Sequence, residues 1–157
     1  MASTTDQDKQ FVQLAITKAK ESAAQGGFPA GAVVVNNGKV VGEGIAIGNQ
    51  LNDPSSHPEM VSIREACKTI QTSNLSSAVL YASMQPCLMC FGASMWSSIS
   101  RIVYACSKEK VSGDYYGGNY KISEINKQVT RPIELVHFSE FEDESLEIIH
   151  KWENLVR

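Results

Sequence analysis

Residues 6–25 carry apolar side chains at helical spacing. Their apolar positions fall three and four residues apart and so share one helix face: Phe11, Leu14, Ala15 and Ala19. Gly26-Gly27 follows directly, and glycine disfavours a helix interior. The pattern predicts an amphipathic first helix over residues 6–25.

The pattern then changes to that of a hairpin. Ala32–Val35 is a run rich in β-branched residues, which favours a strand. Asn37-Gly38 is typical of a two-residue hairpin turn, and residues 39–47 are predicted to be the returning strand. Residues 48–56 contain several Asn, Asp and Pro residues and are predicted to form a loop.

The rest of the chain alternates between helix and strand. We predict helices from Pro58 to about Ile70, from Cys87 to about Ser97 and over 142–156, strands at 78–82, 101–106 and 133–138, and irregular structure at 113–119. This alternation is typical of the α/β class, with a central mixed sheet and helices on its faces. Without a repeat or linker in the sequence, residues 1–157 are predicted to be a single domain.

Candidate chemistry is concentrated in two short motifs, His57-Pro58-Glu59 and Pro86-Cys87-Leu88-Met89-Cys90. A Cys-x-x-Cys pair alone is also found in redox dithiols, in half of a zinc ribbon and as buried core thiols. Cys67 and Cys106 are isolated, so a second pair for a ribbon is missing. One imidazole and two thiols make three ligands, and a three-ligand zinc site leaves one position for water, as in catalytic sites.

The predicted helices explain how these motifs meet. His57 lies just before a helix that starts at Pro58, with Glu59 in its first turn, while Cys87 and Cys90 are three residues apart on the next helix. Two helix N-termini would then converge on one metal, and their partial positive charge favours thiolates. Glu59 would handle the protons of the water; the alternative is a first-turn carboxylate that complements the helix dipole.

The order His-x-Glu, then Pro-Cys-x-x-Cys, matches the zinc-deaminase signature. From Phe28 to Tyr104 the chain resembles the cytidine-deaminase-like superfamily, in the branch with guanine deaminases, tRNA adenosine deaminases and yeast-type cytosine deaminases. The resemblance implies a three-layer fold with a central mixed five-stranded sheet and helices on both faces. It also implies a hydrolytic deaminase with Zn²⁺ on His57, Cys87 and Cys90, and Glu59 as the catalytic acid and base.

The resemblance is less informative about the substrate. Relatives carry a base-contacting Asn where this chain has Ala46, and many have Ala, with a free N–H, at the position of Pro58. Trp96 and the region of Asp114 resemble guanine deaminases, where Asp114 would be a second acidic group. These four residues are candidate substrate contacts. Trp96 is otherwise a packing or interface residue, and Tyr115 and Tyr116 are expected in a surface loop.

Charge and composition narrow the partners. Hydrophobic residues make up 43% of the chain, yet no apolar run approaches the ~20 residues that span a bilayer. The first six residues lack the basic start and apolar stretch of a signal peptide, and zinc-binding thiolates favour a reducing compartment, so a cytoplasmic protein is expected. The net charge of −3 favours a small base or nucleoside over tRNA, which needs a positive field.

The sequence therefore favours an aminohydrolase acting on a small aminated purine, guanine or a guanine-like base or nucleoside. The alternatives are a tRNA adenosine deaminase or a cytosine deaminase and, in a different class, an inactive zinc-stabilised subunit. The resemblance further implies a homodimer, in which the last helix would reach a neighbouring site. Cys67 and Cys106 are interpreted as buried thiols, and His137 and His150 as structural.

Overall fold

The computed structural model describes residues 5–156. Its helices are α1 (Asp6–Ala24), α2 (Gly48–Leu51), α3 (Pro58–Ile70), α4 (Leu88–Trp96), α5 (Ile122–Asn126) and α6 (Glu142–Val156). Its strands are β1 (Gly31–Asn36), β2 (Lys39–Ile45), β3 (Ala78–Met84), β4 (Arg101–Cys106) and β5 (Glu134–His137). Single 3₁₀ turns lie at Lys108–Lys110, Gly113–Tyr115 and Ser139–Phe141.

The strands form one mixed sheet in the order β2-β1-β3-β4-β5. β1 is antiparallel to β2 and β3, whereas β3, β4 and β5 run parallel to one another. Asn37 and Gly38 both have positive φ, 51° and 76°, which the type I′ hairpin turn requires. The prediction of a mixed five-stranded α/β fold is confirmed.

Alternation along the strands divides the core into two layers. Val33 and Tyr81 face one side of the sheet, where α1 and α6 cover them through residues such as Ile16 and Ile148. Their neighbours along the strands face the other side and pack against α3, α4 and α5: Ala32, Val34, Leu80 and Ala82. Helices therefore lie on both faces, as the resemblance implies.

A buried charged network joins α1 to the centre of the sheet. Asp8, 2% exposed, accepts hydrogen bonds from the Tyr81 hydroxyl at 2.7 Å and from both terminal nitrogens of Arg101 at 2.7 and 2.9 Å. Arg101 Nε also contacts Glu134 on β5 at 2.6 Å. Bidentate guanidinium–carboxylate pairs are geometrically specific, so this network sets the position of α1 over β3 and β4.

Two glycines on β2 let α3 approach the sheet closely. A Cβ on Gly44 would lie 2.0 Å from the Pro58 carbonyl oxygen, and one on Gly42 would lie 2.0 Å from the Ser62 carbonyl oxygen. No larger side chain fits at these positions without displacing the helix. The first turn of α3, which carries Glu59, is thereby held against the sheet.

Several boundaries differ from the prediction. Residues 48–56 contain the short α2, α5 was missed, and β3 continues past Ala82 to Met84. The predicted strand ended at Ala82, before the polar Ser83, whose buried hydroxyl accepts the Gly31 N–H at 3.0 Å and so continues the strand into the core. The other predicted helix and strand ends agree within two residues.

The single-domain interpretation of residues 1–157 stays a prediction at its ends. Residues 1–4, on which the expected lack of a signal peptide partly rests, and residue 157 lie outside the described part of the chain. Within residues 5–156, no helix combines the length and the apolar character needed to cross a bilayer.

Candidate active site

Three ligand atoms meet at the N-termini of α3 and α4. The sulfurs of Cys87 and Cys90 each lie 3.6 Å from His57 Nδ1, and the three ligand atoms all lie within 4.8 Å of one another. A tetrahedral zinc with bonds of ~2.0–2.1 Å to nitrogen and ~2.3 Å to sulfur would place nitrogen and sulfur about 3.6 Å apart. The donor set and its spacing therefore fit zinc.

Local backbone structure explains this convergence. His57 and Cys87 are the N-cap residues of α3 and α4, with extended backbone, and neither side chain caps its own helix. Both side chains are therefore directed to the shared site, with Cys90 one turn further along α4. The Leu88 N–H at the start of α4 binds the Tyr120 hydroxyl at 2.9 Å. Pro58 provides no N–H at the first position of α3, where none is needed within the helix.

The two thiols are electrostatically unequal. A hydrogen bond from Cys90, with His57 nearby, lowers the pKa of Cys87 to about 4 although burial opposes it. The hydrogen bond to Cys87 and burial raise the pKa of Cys90. A divalent cation bound here would deprotonate both thiols, because metal coordination deprotonates a thiol. All four cysteines are free, so no disulfide competes for these sulfurs.

Glu59 lies beside the ligands and is 7% exposed. Burial, followed by the charge of Cys87, raises the pKa of its carboxyl to about 7. Its hydrogen-bond partners are the Cys90 thiol and its own backbone amide, with no basic side chain among them. A buried carboxylate with so little compensation is expected at functional sites more often than in structural ion pairs.

A pocket of about 220 Å³ opens beside these residues. His57, Glu59 and Cys87 line one side, and the remaining lining is largely apolar or aromatic: Phe28, Ala30, Ala46, Pro58, Met84, Gln85, Tyr115 and Tyr116. The Phe28 ring packs edge-on against Tyr115 at 5.0 Å between centroids and against Trp152 of α6 at 5.1 Å. An apolar, aromatic-walled pocket with a few polar groups is suited to a flat ring.

The family can now be assigned. The family model of the cytidine and deoxycytidylate deaminase zinc-binding region matches residues 5–106, which include the three ligands and Glu59. This chain belongs to that family. It is a zinc-dependent deaminase of the cytidine-deaminase-like group, as the signature predicted.

Its relatives act on different substrates. Guanine deaminase of Bacillus subtilis is 35% identical over 118 residues, which cover 74% of this chain and 76% of that protein. The tRNA-specific adenosine deaminase of Aquifex aeolicus is 32% identical over 103 residues, covering 66% and 68%. Alignments with bacterial tRNA-specific adenosine deaminases span 60% to 68% of the relative's length.

A solved structure supports the fold. The guanine deaminase from Nitrosomonas europaea superposes with a TM-score of 0.82, covering 98% of this chain and 87% of that one, at 18% identity. At that identity the likeness shows the deaminase fold alone. The prediction of a cytidine-deaminase-like fold is thereby confirmed.

The structure separates the four candidate substrate contacts of this deaminase. Ala46 and Pro58 line the pocket, whereas Asp114 is exposed outside its lining. Trp96 is 83% exposed at the end of α4 and borders a different cavity, next to Pro132. Within this chain, therefore, neither Trp96 nor Asp114 reaches the pocket. Similarity to relatives at single positions could not show this, because the location of each side chain depends on where α4 and the 113–119 segment lie in the fold.

The expectation that Tyr115 and Tyr116 form a surface loop was wrong. Both line the pocket, and Tyr116 is 7% exposed with its hydroxyl donating to the Gln85 carbonyl at 2.7 Å. Gln85 was also missed, although its position immediately after β3 and before Pro86-Cys87 was a usable signal. Ligand sites in α/β proteins commonly lie at the carboxyl ends of parallel strands.

Helix α6 packs beside the pocket of its own chain. Trp152 contacts the Phe28 and Tyr115 rings, and Glu153 accepts a hydrogen bond from the Tyr115 hydroxyl at 2.5 Å. The last helix therefore supports the aromatic wall in cis.

The remaining candidates have structural surroundings. Cys106 is fully buried, as predicted, and Cys67 is partly buried against the core on the α3 side. His137 stacks on Tyr104 and lies 3.0 Å from Glu142 Oε2, and His150 is exposed. The described residues place neither histidine in the His57–Cys87–Cys90 group.

Proposed function

We propose that this chain hydrolyses the exocyclic amine of a small aminated purine, guanine or a guanine-like base or nucleoside, and releases ammonia. The observation that carries the proposal is the buried Glu59 carboxylate, which lines the same pocket as His57 and Cys87. A purely structural zinc has no use for such a carboxylate, whereas hydrolysis needs a group that takes and returns protons.

Glu59 moves the protons in the proposed reaction. His57, Cys87 and Cys90 would hold the zinc ion, which would supply Lewis acidity and lower the pKa of a bound water. Glu59 takes a proton from water on a carboxylate oxygen and returns protons to the ring nitrogen and to the leaving amine. Water adds across the C=N bond of the aminated ring carbon, the exocyclic C–N bond breaks, and that carbon becomes a carbonyl while ammonia departs.

Base recognition is assigned to the aromatic wall and Gln85. The Ala46 N–H is donated to the buried Ser22 hydroxyl at 3.1 Å, and Pro58 has no N–H, so neither backbone amide is available to the base. Gln85 Oε1 accepts the Lys108 N–H at 2.9 Å. The carboxamide nitrogen of Gln85 is the donor left to meet an acceptor on the ring.

Pocket size and charge support a small substrate. A volume of about 220 Å³ is below the ~300–1,000 Å³ of pockets for drug-sized ligands, so one nucleobase is a suitable occupant. The chain carries 14 basic and 17 acidic residues, whereas polynucleotide binding relies on an excess of positive charge.

Adenosine deamination in tRNA is the second candidate. It is favoured by the alignments, in which tRNA-specific adenosine deaminases reach 32% and 38% identity. Such a substrate would extend far beyond the pocket and would need phosphate contacts on the surrounding surface.

An ammonia-release screen tests the proposal. The purified, zinc-loaded protein is assayed with guanine, guanosine, adenine, cytosine, cytidine and a tRNA anticodon stem-loop, before and after zinc removal. We expect zinc-dependent turnover of a guanine compound. Turnover confined to the stem-loop would reject the small-purine proposal and support the tRNA candidate.

A homodimer remains part of the proposal. Among described residues, the exposed apolar side chains of α4, Leu88 at 47% and Trp96 at 83%, are available to such an interface. Light scattering on wild type and Trp96→Ser tests it, with a shift from dimer to monomer expected in the variant.

A further inference from the structure

A second cavity adjoins the pocket on the side of α2. It has a volume of about 480 Å³ and shares Phe28, Ala46 and His57 with the first pocket. Apart from Gly27, its remaining lining comes from the segment between β2 and α3, including Asn49, Asn52, Asp53 and Ser56. A molecule with its ring beside Glu59 can therefore extend into this second space.

The two cavities differ in chemistry. The first is walled by rings and apolar side chains, whereas the second presents polar groups, which are neutral apart from the Asp53 carboxylate. The side chains of Asn49 and Asn52 are exposed and make no hydrogen bond within residues 5–156. An amide offers two donors and an acceptor, which match hydroxyl groups. A flat base carrying a polyhydroxylated substituent has the same division between an apolar part and a polar part that carries hydrogen-bonding groups.

The charges next to this cavity disfavour a phosphate. Hydrogen bonds from Ser55 and Ser56 lower the pKa of Asp53 to about 2, so this lining residue is an anion at neutral pH. No lysine or arginine is among the lining residues that the structure describes. The nearby Arg64 instead donates to the Ser55 and Ser56 hydroxyls, at 2.8 and 3.4 Å. A neutral sugar avoids the repulsion that a phosphate would meet here.

We propose that the substrate is the nucleoside, with its ribose in this second cavity and its hydroxyls bound by Asn49 and Asn52. The inference rests on the proposed deaminase function and narrows it, because it places a free nucleoside ahead of the free base, the 5′-monophosphate and tRNA. Burial of the sugar hydroxyls against unpaired amides adds hydrogen bonds that a free base cannot make.

Matched substrate series test this inference. For each of the guanine, adenine and cytosine rings, kcat/KM for ammonia release is measured with the base, the nucleoside and the 5′-monophosphate. We expect the nucleoside of the accepted ring to exceed both others by at least about tenfold. A base or monophosphate that equals its nucleoside, or turnover confined to tRNA, overturns the proposal.

The series also separates this inference from the function on which it rests. If only a cytosine ring is deaminated, the purine assignment is wrong, and the nucleoside-to-base ratio for cytidine and cytosine still decides the role of the second cavity.

Substitutions in the second cavity test whether Asn49 and Asn52 bind the sugar. Asn49→Ala is expected to lower kcat/KM for the nucleoside about tenfold and to leave the free base unchanged. Asn52→Gly should act similarly, and it preserves the positive φ of 52° at this residue. Gln50→Ala, in the same short helix but outside the cavity lining, is the control that changes neither substrate. Equal losses for base and nucleoside in Asn49→Ala would contradict a sugar contact.

Discussion

Asp8 and Glu59 are both buried carboxylates in the first turn of a helix, on opposite faces of the sheet. Asp8 is 2% exposed and Glu59 is 7% exposed, yet their pKa values move in opposite directions. Burial raises the pKa of Asp8, but hydrogen bonds and charge from Arg101, with help from Tyr81, lower it overall. At Glu59 burial dominates, and the pKa rises to about 7.

The contrast shows how a carboxylate buried for stability differs from one that is available for proton transfer. The network around Asp8 supplies a full set of partners, which is how a buried charge is normally stabilised. Around Glu59 the chain places two thiols and an imidazole, a set of donors that a zinc ion would complete. The chain pairs the Asp8 carboxylate with its own side chains, whereas the Glu59 carboxylate is the group that the proposed reaction uses to move protons.

Loss of a zinc ligand is expected to have the largest effect. Cys90→Ala removes one of three protein ligands, so the zinc content should fall from about one ion per chain to near zero, with no detectable turnover. Elemental analysis and ammonia release measure both. Cys67→Ala, a free thiol elsewhere on α3, is the control and should keep its zinc. Retention of zinc and activity in Cys90→Ala would contradict the assigned ligand set.

Glu59→Gln should abolish most turnover without loss of zinc. The amide has nearly the shape of the carboxylate but cannot exchange protons, and general acid–base catalysis contributes roughly 10²–10⁴-fold. We expect kcat to fall within that range at unchanged zinc content. Glu65 is exposed on the same helix, so Glu65→Gln is the control and should leave kcat and zinc content unchanged. Substantial activity in Glu59→Gln would remove this residue from the mechanism.

Asp8→Asn should affect stability rather than chemistry. It leaves the Arg101 guanidinium without its buried carboxylate, and breaking such a pair costs about 3–5 kcal/mol of unfolding free energy. Urea unfolding measures this loss. At a temperature where the variant stays folded, kcat should be near that of the wild type; a large fall in kcat there would mean that the two regions are not independent.

The dependence of protein stability on pH in the acid range should sharpen the contrast between Asp8 and Glu59. The folded pKa of Asp8 lies below its unfolded value of ~3.9, so its contribution is fully present above that pH and is lost as pH falls through the folded pKa. The difference in stability between wild type and Asp8→Asn should therefore shrink as pH decreases below about 4. A difference that stays constant with pH would argue against an ionised Asp8.

An exposed ion pair between α1 and the 3₁₀ turn at Ser139–Phe141 should matter least. Lys9 and Glu140 lie 3.2 Å apart, but their side chains are 54% and 57% exposed. Such pairs contribute about 0–1 kcal/mol. Lys9→Ala should change the unfolding free energy by no more than this amount. A loss of unfolding free energy comparable to that of Asp8→Asn would show that burial does not determine how much these ion pairs contribute to stability.

Much of the site could be predicted because its chemistry is local in sequence. His57 and Glu59 fall within one motif, and Cys87 and Cys90 within another, so each pair shares one helix start whatever the rest of the fold does. The residues that meet them from elsewhere were harder to predict. Tyr115 and Tyr116 lie in a segment with no helix or strand pattern, and only its packing against α6 and Gln85 brings them to the pocket.

The Asp8–Arg101 network escaped prediction for a related reason. Asp8 falls in the first predicted helix and Arg101 at the start of a predicted strand, and nothing in the spacing of residues 93 positions apart indicates a contact. Trp96 is the converse case, since its match to relatives predicted a substrate contact, yet α4 directs it away from the pocket of its own chain.

Periodicity and two short motifs were therefore enough to predict the class of fold, the His-Cys-Cys group that could hold zinc and the family of the enzyme, because each depends on residues a few positions apart. The shape of the pocket, the donors left for the base and the polar cavity beside it depended on contacts between distant segments. Such contacts are set by how helices pack on the sheet, and packing is a property of the whole chain.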